Sequence, residues 1–231
     1  MWPLSPLAAL AAKAATTTIP IVFGVGEDPV KLGLVANLAR PGGNVTGVSW
    51  FNALVAGKAL GLLHELDAKA ALVALLVNRQ LPEAVSTESD AQEAARILGR
   101  QLLVLNASTP SEIDAAFATM RQRRADALLV GRDPFFSSRR QQIVALAARD
   151  AIPTMYTNRE FVEEGGLISY GNDTANGYVR AGVYAGRILN GASPADLPVD
   201  QATKFELVVN VKAAKAVGLT IPESFLARAD E

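Results

Sequence analysis

The stretch Gly24–Trp50, GVGEDPVKLGLVANLARPGGNVTGVSW, sets the reading of the whole chain. An apolar run from Ile19 to Phe23, of strand length, ends in Gly24 and Gly26 and then Asp28-Pro29. Aspartate caps helix N-termini, and proline suits the first helical position because its missing N–H would be unpaired there anyway. The spacing therefore predicts a short helix carrying Val30, Leu32, Leu34 and Val35. A turn at Arg40-Pro41-Gly42-Gly43-Asn44 follows, then a second strand, Val45–Ser49, with polar Thr46 and Ser49 beside Gly47. Strands that deliver small and polar groups to one sheet edge are how open α/β folds make ligand clefts.

Outward from this stretch the same alternation continues. Leu7 to Ala15 reads as a helix feeding the first strand. Val55, Ala59, Leu62, Leu63 and Leu66 share one face of an amphipathic helix. The only histidine, His64, lies within it and reads as a partly exposed helix residue, with no acidic or serine partner beside it in sequence. Ala71–Val77 and Leu102–Leu105 are apolar runs suited to strands covered on both faces, with a helix over Pro82–Arg100 between them. Thr109-Pro110-Ser111-Glu112 forms a capping box, opening a helix whose Ile113, Ala116, Phe117 and Met120 share a face. Strands are expected over Ala127–Val130, Ile152–Met155, Leu167–Tyr170 and Glu206–Val209, and helices over Phe135–Arg149, Ala175–Asn190 and Val211–Val217. In the helix over Ala175–Asn190, Val179, Val183, Gly186 and Leu189 fall near one face, and Gly182 with Gly186 permits close backbone approach. Strands alternating with helices throughout predict an α/β chain with mainly parallel sheets flanked by helices.

Composition narrows the function. Of 231 residues, 50% are hydrophobic and 19% charged, ample material for a core, and the net charge of −1 argues against a nucleic-acid surface. There is no cysteine, hence no disulfide framework and no thiolate metal site, and a single histidine disfavours multi-histidine metal centres. No run reaches the roughly 18 apolar residues of a membrane span, so no direct membrane insertion is expected. The opening MWPLSPLAALAAKAATTT lacks a basic segment before its apolar run and is broken by two prolines, so no export signal is expected in the chain as written.

Two strand ends repeat one device, Gly26-Glu27-Asp28-Pro29 and Gly131-Arg132-Asp133-Pro134. Asp28 and Asp133 are either plain caps or cleft residues. Their equivalent placement, with Thr46, Ser49, Asn78, Tyr156, Glu160 and Tyr170 also expected at or just beyond strand ends, favours a ligand cleft. Gly24-Val25-Gly26 continues as G-x-G-x-x-P rather than a dinucleotide fingerprint, and the turn at Pro41–Asn44 lacks a phosphate loop's lysine. No G-x-S-x-G elbow, nucleophilic cysteine or paired histidine is present, so no catalytic residue, cofactor or metal is expected.

GEDPVKLGLVANLARPGGNVTGVSW resembles the signature of ABC-transporter substrate-binding proteins of the tryptophan/tyrosine-binding type. The resemblance continues through Asp126–Val130, Ile152-Pro153, Glu164–Gly171, Ile188–Gly191 with Pro194–Pro198, and Val209-Asn210 with Ala213–Pro222. It implies a two-lobed type I periplasmic-binding-protein fold, with residues 1–51 and 165–231 in the first lobe and 52–164 in the second. It also implies an interlobe cleft for a small molecule, an aromatic amino acid or a related compound, and delivery to a permease powered by an ATPase. In that picture Asp133 or Glu160 pairs with a ligand ammonium, Thr46, Ser49 and nearby helix N-termini receive the carboxylate, and Tyr156 or Tyr170 stacks on the ring. The family is periplasmic; this chain, without an export signal, would stay cytoplasmic if expressed as written. Relative to the family's pattern, the export signal and the first β-α units of lobe one are expected to be missing. Two other classes stay open at this point: a ligand-sensing effector domain of a regulator, and an α/β enzyme.

Overall fold

The computed structural model describes residues 6–50, 53–201 and 205–231. In chain order the elements are α1 (Pro6–Ala15), β1 (Ile21–Val25), β2 (Val45–Ser49), α2 (Ala53–Leu66), β3 (Leu72–Val77), α3 (Glu83–Ile97), β4 (Gln101–Asn106), α4 (Pro110–Arg123), β5 (Ala127–Val130) and α5 (Pro134–Ser138). They continue with α6 (Arg140–Arg149), β6 (Thr154–Tyr156), α7 (Glu160–Glu163), β7 (Ile168–Asn172), α8 (Thr174–Leu189), β8 (Asp200–Gln201), β9 (Phe205–Val209), α9 (Val211–Ala216) and α10 (Glu223–Leu226). The chain is α/β, with parallel sheets flanked by helices, and divides into two compact units.

The first unit takes residues 1–52 and 172–205 and contains a three-stranded sheet in the order β1-β2-β8. β1 and β2 run parallel with Ile21 opposite Val45 and Val25 opposite Ser49. On one face Ala9 and Ala12 of α1 pack with Ile21, Phe23, Val25 and Val45; on the other Ala181 and Tyr184 of α8 pack with Val22, Val48 and Trp50. Gly47 is required here, because a Cβ on it would lie 2.2 Å from the Phe23 carbonyl oxygen. The expected helix over Val30–Val35 is a turn instead. Leu32 N–H reaches the Asp28 carbonyl (3.0 Å), one helical bond, and then Gly33 swings to φ +72° and ends the coil.

The second unit takes residues 53–171 and 206–231 around a six-stranded sheet, β4-β3-β5-β6-β7-β9. Its core joins Ile113, Phe117 and Met120 of α4 to Leu76, Leu128 and Val130 of the central strands. The capping box forms as read: Thr109 Oγ1 accepts from Glu112 N–H, while Glu112 Oε2 accepts from Thr109 N–H (3.1 Å) and from Ser108 N–H (2.7 Å). β4 departs from the expectation of a strand covered on both faces. It lies at the sheet edge and is at most half-buried. The single helix expected over Phe135–Arg149 is two, with a break at Arg139.

The units divide the chain differently from the lobes expected from sequence. Residues 165–171 and 206–231 belong with the second unit because β7 pairs with β6 (Met155 opposite Ile168) and Asn210 N–H bonds the Leu167 carbonyl at 2.8 Å. The face of α8 carrying Val179, Val183 and Leu189 is exposed, and a Cβ added at Gly182 or Gly186 would meet nothing outside the helix within 4 Å. The buried face is Gly177, Ala181 and Tyr184. His64 is half-buried, and its Nδ1 accepts from the Arg100 guanidinium at 3.0 Å.

Candidate functional site

In parallel sheets the strands' carboxyl ends carry the loops that meet ligands. In the first unit, β1 and β2 end together at Val25 and Ser49. Ser49 is fully buried and donates its hydroxyl to the Glu27 carbonyl at 3.0 Å. Asp28 Oδ1 accepts from Val30 N–H (2.9 Å) and Lys31 N–H (3.4 Å), an Asx turn closing the same corner. Ser49 and Asp28 are therefore neighbours through Glu27, and both bind backbone. Thr46 lies further back in the strand, fully buried, and donates to the Leu197 carbonyl at 2.7 Å. It is a structural residue of the face under α8, because its position shares parity with Val48 and Trp50.

Two residues of this edge went unread in the sequence. Asn172 donates its Nδ2 to the Trp50 carbonyl at 2.6 Å, and Gly177 lets α8 rest on the Trp50 indole. A Cβ at Gly177 would fall 2.5 Å from Trp50 Nε1, which is itself buried without a hydrogen-bond partner. Tyr178 meets the same indole edge-on at 5.9 Å.

The second unit's edge is different. Asp133 is 3% exposed and caps α5, Oδ1 accepting from Phe135 N–H and from Phe136 N–H (3.3 Å). Its Oδ2 is buried and has no donor. Across the gap from β5 to β6, Asn158 donates Nδ2 to Ser137 Oγ (3.1 Å), and Ser137 donates its own hydroxyl to the Asp133 carbonyl (3.0 Å). Because Ser137's only proton is spent on that carbonyl, its oxygen must accept from Asn158. This fixes the amide so that Oδ1 is its free end. Oδ1 is likewise buried and unpartnered. Two acceptors without donors, one of them anionic, are a costly arrangement until a group rich in N–H completes it.

The remaining expected residues do not join this pair. Asn78 closes a turn at the end of β3, Oδ1 accepting from Gln80 N–H at 3.1 Å. Glu160 is exposed on the first turn of the four-residue α7. Tyr170 is buried in β7 with Lys58 Nζ 5.2 Å from its ring centroid, a cation–π contact. Tyr156 turns away from the edge altogether. It is 1% exposed, stacks on Phe161 at 4.7 Å, and burial pushes its phenol well above the usual tyrosine range. Thr154 and Tyr156 share one sheet face by the two-residue repeat of a strand, and that face packs on α6 rather than opening at the carboxyl end. Asn158 has no motif around it, and only its position after β6 hints at its role.

The description that matches the chain is "ABC transporter substrate binding protein", over residues 3–231. The chain belongs to that family. A tyrosine-binding protein of Clostridioides difficile (strain R20291) is 29% identical over 219 residues, 95% of this chain, and the chain spans 63% of that relative's length. Among solved structures, a conserved domain protein from Vibrio cholerae superposes with a TM-score of 0.87 at 30% identity, covering 99% of this chain and 76% of that one. An ABC domain in complex with L-Trp from Streptococcus pneumoniae gives 0.85 at 28% identity, covering 99% and 78%. The α/β architecture with its parallel sheets is thus that of the two-lobed type I periplasmic binding proteins. Members of a substrate-binding family bind solutes for an ABC transporter, and among the described residues no helix is long and apolar enough to cross a membrane.

Proposed function

We propose that this chain is a solute-binding component of an ABC importer, taking a small aromatic amino acid or a close relative and handing it unchanged to a permease driven by an ATPase. The observation that carries the reading is the pair of buried, unpartnered acceptors, Asp133 Oδ2 and Asn158 Oδ1, at adjacent strand ends of the second unit. An α-ammonium supplies three N–H donors and a positive charge. It suits a carboxylate oxygen beside an amide oxygen better than any neutral donor. The names of the relatives, one tyrosine-binding and one bound to L-Trp, support an aromatic side chain on that amino acid. Of the first unit's edge, Ser49 and Asp28 serve in this reading to hold the Glu27 corner rather than to touch ligand. The protein acts on the outer side of the membrane, where the family's members work.

Calorimetric titration with L-tryptophan, L-tyrosine and L-phenylalanine tests the reading. At least one is expected to bind, and N-acetyl-L-tryptophan, which lacks the ammonium, to bind at least about 100-fold more weakly. Binding of aliphatic amino acids or sugars with none of the aromatic acids would overturn it.

A further inference from the structure

The second unit holds a cavity of about 120 Å³ that is separate from the polar edge. It lies where Ile152 leads into β6 and Gly165–Leu167 leads into β7, toward the amino ends of those strands. Its walls combine small residues, Ala147 and Ala148 of α6, Ala213 and Ala216 of α9 and the Gly165-Gly166 loop, with the larger apolar side chains of Val144, Ile152, Leu167 and Val217. Ala148 and Ala216 are exposed, so the cavity has a mouth between the two helices, while its inner wall is Thr154 and Tyr156.

Three features make this more than loose packing. First, Tyr156 is pinned. It stacks on Phe161 with an interplanar angle of 13°, and Gly166 makes room for the ring, since a Cβ there would stand 2.6 Å from Tyr156 Cε2. Second, the polarity is sparse and directed. Thr154 donates its hydroxyl to the Ile152 carbonyl at 2.9 Å, so in its hydrogen bond with Tyr156 the phenol is the donor. The Tyr156 hydroxyl, on a residue 1% exposed, keeps acceptor capacity for whatever enters. Third, the volume is of the right order. Apolar cavities of about 150 Å³ stay dry and admit benzene, and an empty one costs stability in proportion to its size.

We propose that this crevice is a second ligand site, for a small, flat, neutral molecule with one hydrogen-bond donor, of the phenol or indole class. The ring lies among the alanines and glycines, and its O–H or N–H donates to the Tyr156 oxygen. The site is independent of the solute reading above, because no lining residue belongs to the Asp133–Ser137–Asn158 edge.

The test is a titration of the full chain with phenol, indole and toluene, followed by amide NMR shifts at Gly165, Gly166 and Ala213. Phenol and indole are expected to bind with dissociation constants below about 1 mM. Toluene, lacking the donor, is expected to bind roughly 5- to 10-fold more weakly than phenol. Tyr156→Phe keeps the stacked ring and is expected to erase the phenol–toluene difference. Ala216→Phe, at an exposed helix position, plugs the mouth and is expected to abolish binding of all three. Prior saturation with L-tryptophan leaves the phenol affinity unchanged. No shifts at these amides up to about 10 mM ligand, unchanged binding in Ala216→Phe, or equal affinity for phenol and toluene in the wild type would each overturn the proposal.

Discussion

The carboxyl-end edges of the two sheets look alike in sequence and are used differently. Both begin with an apolar strand running into Gly-x-Asp-Pro. At the first edge Ser49 bonds the Glu27 carbonyl, Asp28 the amides of Val30 and Lys31, and Asn172 the Trp50 carbonyl, while an unspent group there is a donor, Trp50 Nε1. At the second, Asp133 spends one oxygen on its cap and keeps the other, and Asn158 keeps its amide oxygen. A strand end rich in polar residues is therefore not yet a site. What sets the second edge apart is two buried acceptors, one a carboxylate oxygen, held in place and left without donors.

The largest effects should come from the glycines that let each unit close on itself. In the first unit, Gly47→Ala sets a Cβ against the Phe23 carbonyl; in the second, Gly171→Ala sets one 1.9 Å from the Thr157 carbonyl oxygen. Neither neighbour is a flexible side-chain tip, so backbone must move. Each change is expected to cost about 3 kcal/mol or more by urea denaturation. Hydrogen exchange should place the loosening in β1–β2 for Gly47→Ala and in β6–β7 for Gly171→Ala. Loss of protection in both sheets from either change would mean that the two units unfold as one.

Next in size is the contrast between the edges themselves. Asp133→Ala is expected to weaken aromatic amino acid binding by at least about 100-fold, the scale of losing a charged partner to an ammonium. Ser49→Ala, which touches only backbone, should leave affinity within about 2-fold. Calorimetry on both variants reads the difference directly. Equal losses would erase the distinction drawn between the edges.

A smaller effect is expected at Thr46, whose hydroxyl serves the Leu197 carbonyl from a fully buried position. Thr46→Val keeps the shape and leaves that carbonyl without its donor, at a cost of about 1–2 kcal/mol in chemical denaturation and none in affinity.

How much of this could be read in the residues follows from what each feature depends on. β2 and β5 span the residues that the apolar runs mark, and the Thr109 box forms as spelled, because these depend on neighbours in sequence. The helix after Pro29 fails at Gly33, whose left-handed backbone has no side-chain signal to announce it. α8 carries two apolar stripes at helical spacing, one with Val179 and Val183 and one with Ala181 and Tyr184. Which is buried depends on the sheet beside it. At the edges, residue type singled out Asp133, Thr46 and Tyr156 alike, since it does not say where a carboxylate, hydroxyl or ring is spent. Asn158 was missed because its value lies in Ser137, 21 positions away, which fixes its amide.

The smallest effect separates the second unit's fold from its edge. Asp150, at the end of α6, has a side chain only 5% exposed and takes Arg149 at 2.7 Å and Arg121 at 2.7 Å. Hydrogen bonding from Arg149, with further help from Arg121, holds its carboxyl below the usual aspartate range against the opposing cost of burial. A carboxyl whose folded pKa is depressed binds its proton more readily in the unfolded chain. Its contribution is therefore full above the unfolded value of about 4 and fades as pH falls through the folded value. Asp150→Asn should lower the urea midpoint at pH 7, and the wild-type and variant curves should converge as pH falls below about 4 and through the folded value. Because Asp150 touches neither Asp133 nor Asn158, affinity at pH 7 should not change with the substitution. A variant that lost affinity there would tie the Asp133–Asn158 edge to the stability of α6, and the contrast between the two edges would then need to include the helix behind the second.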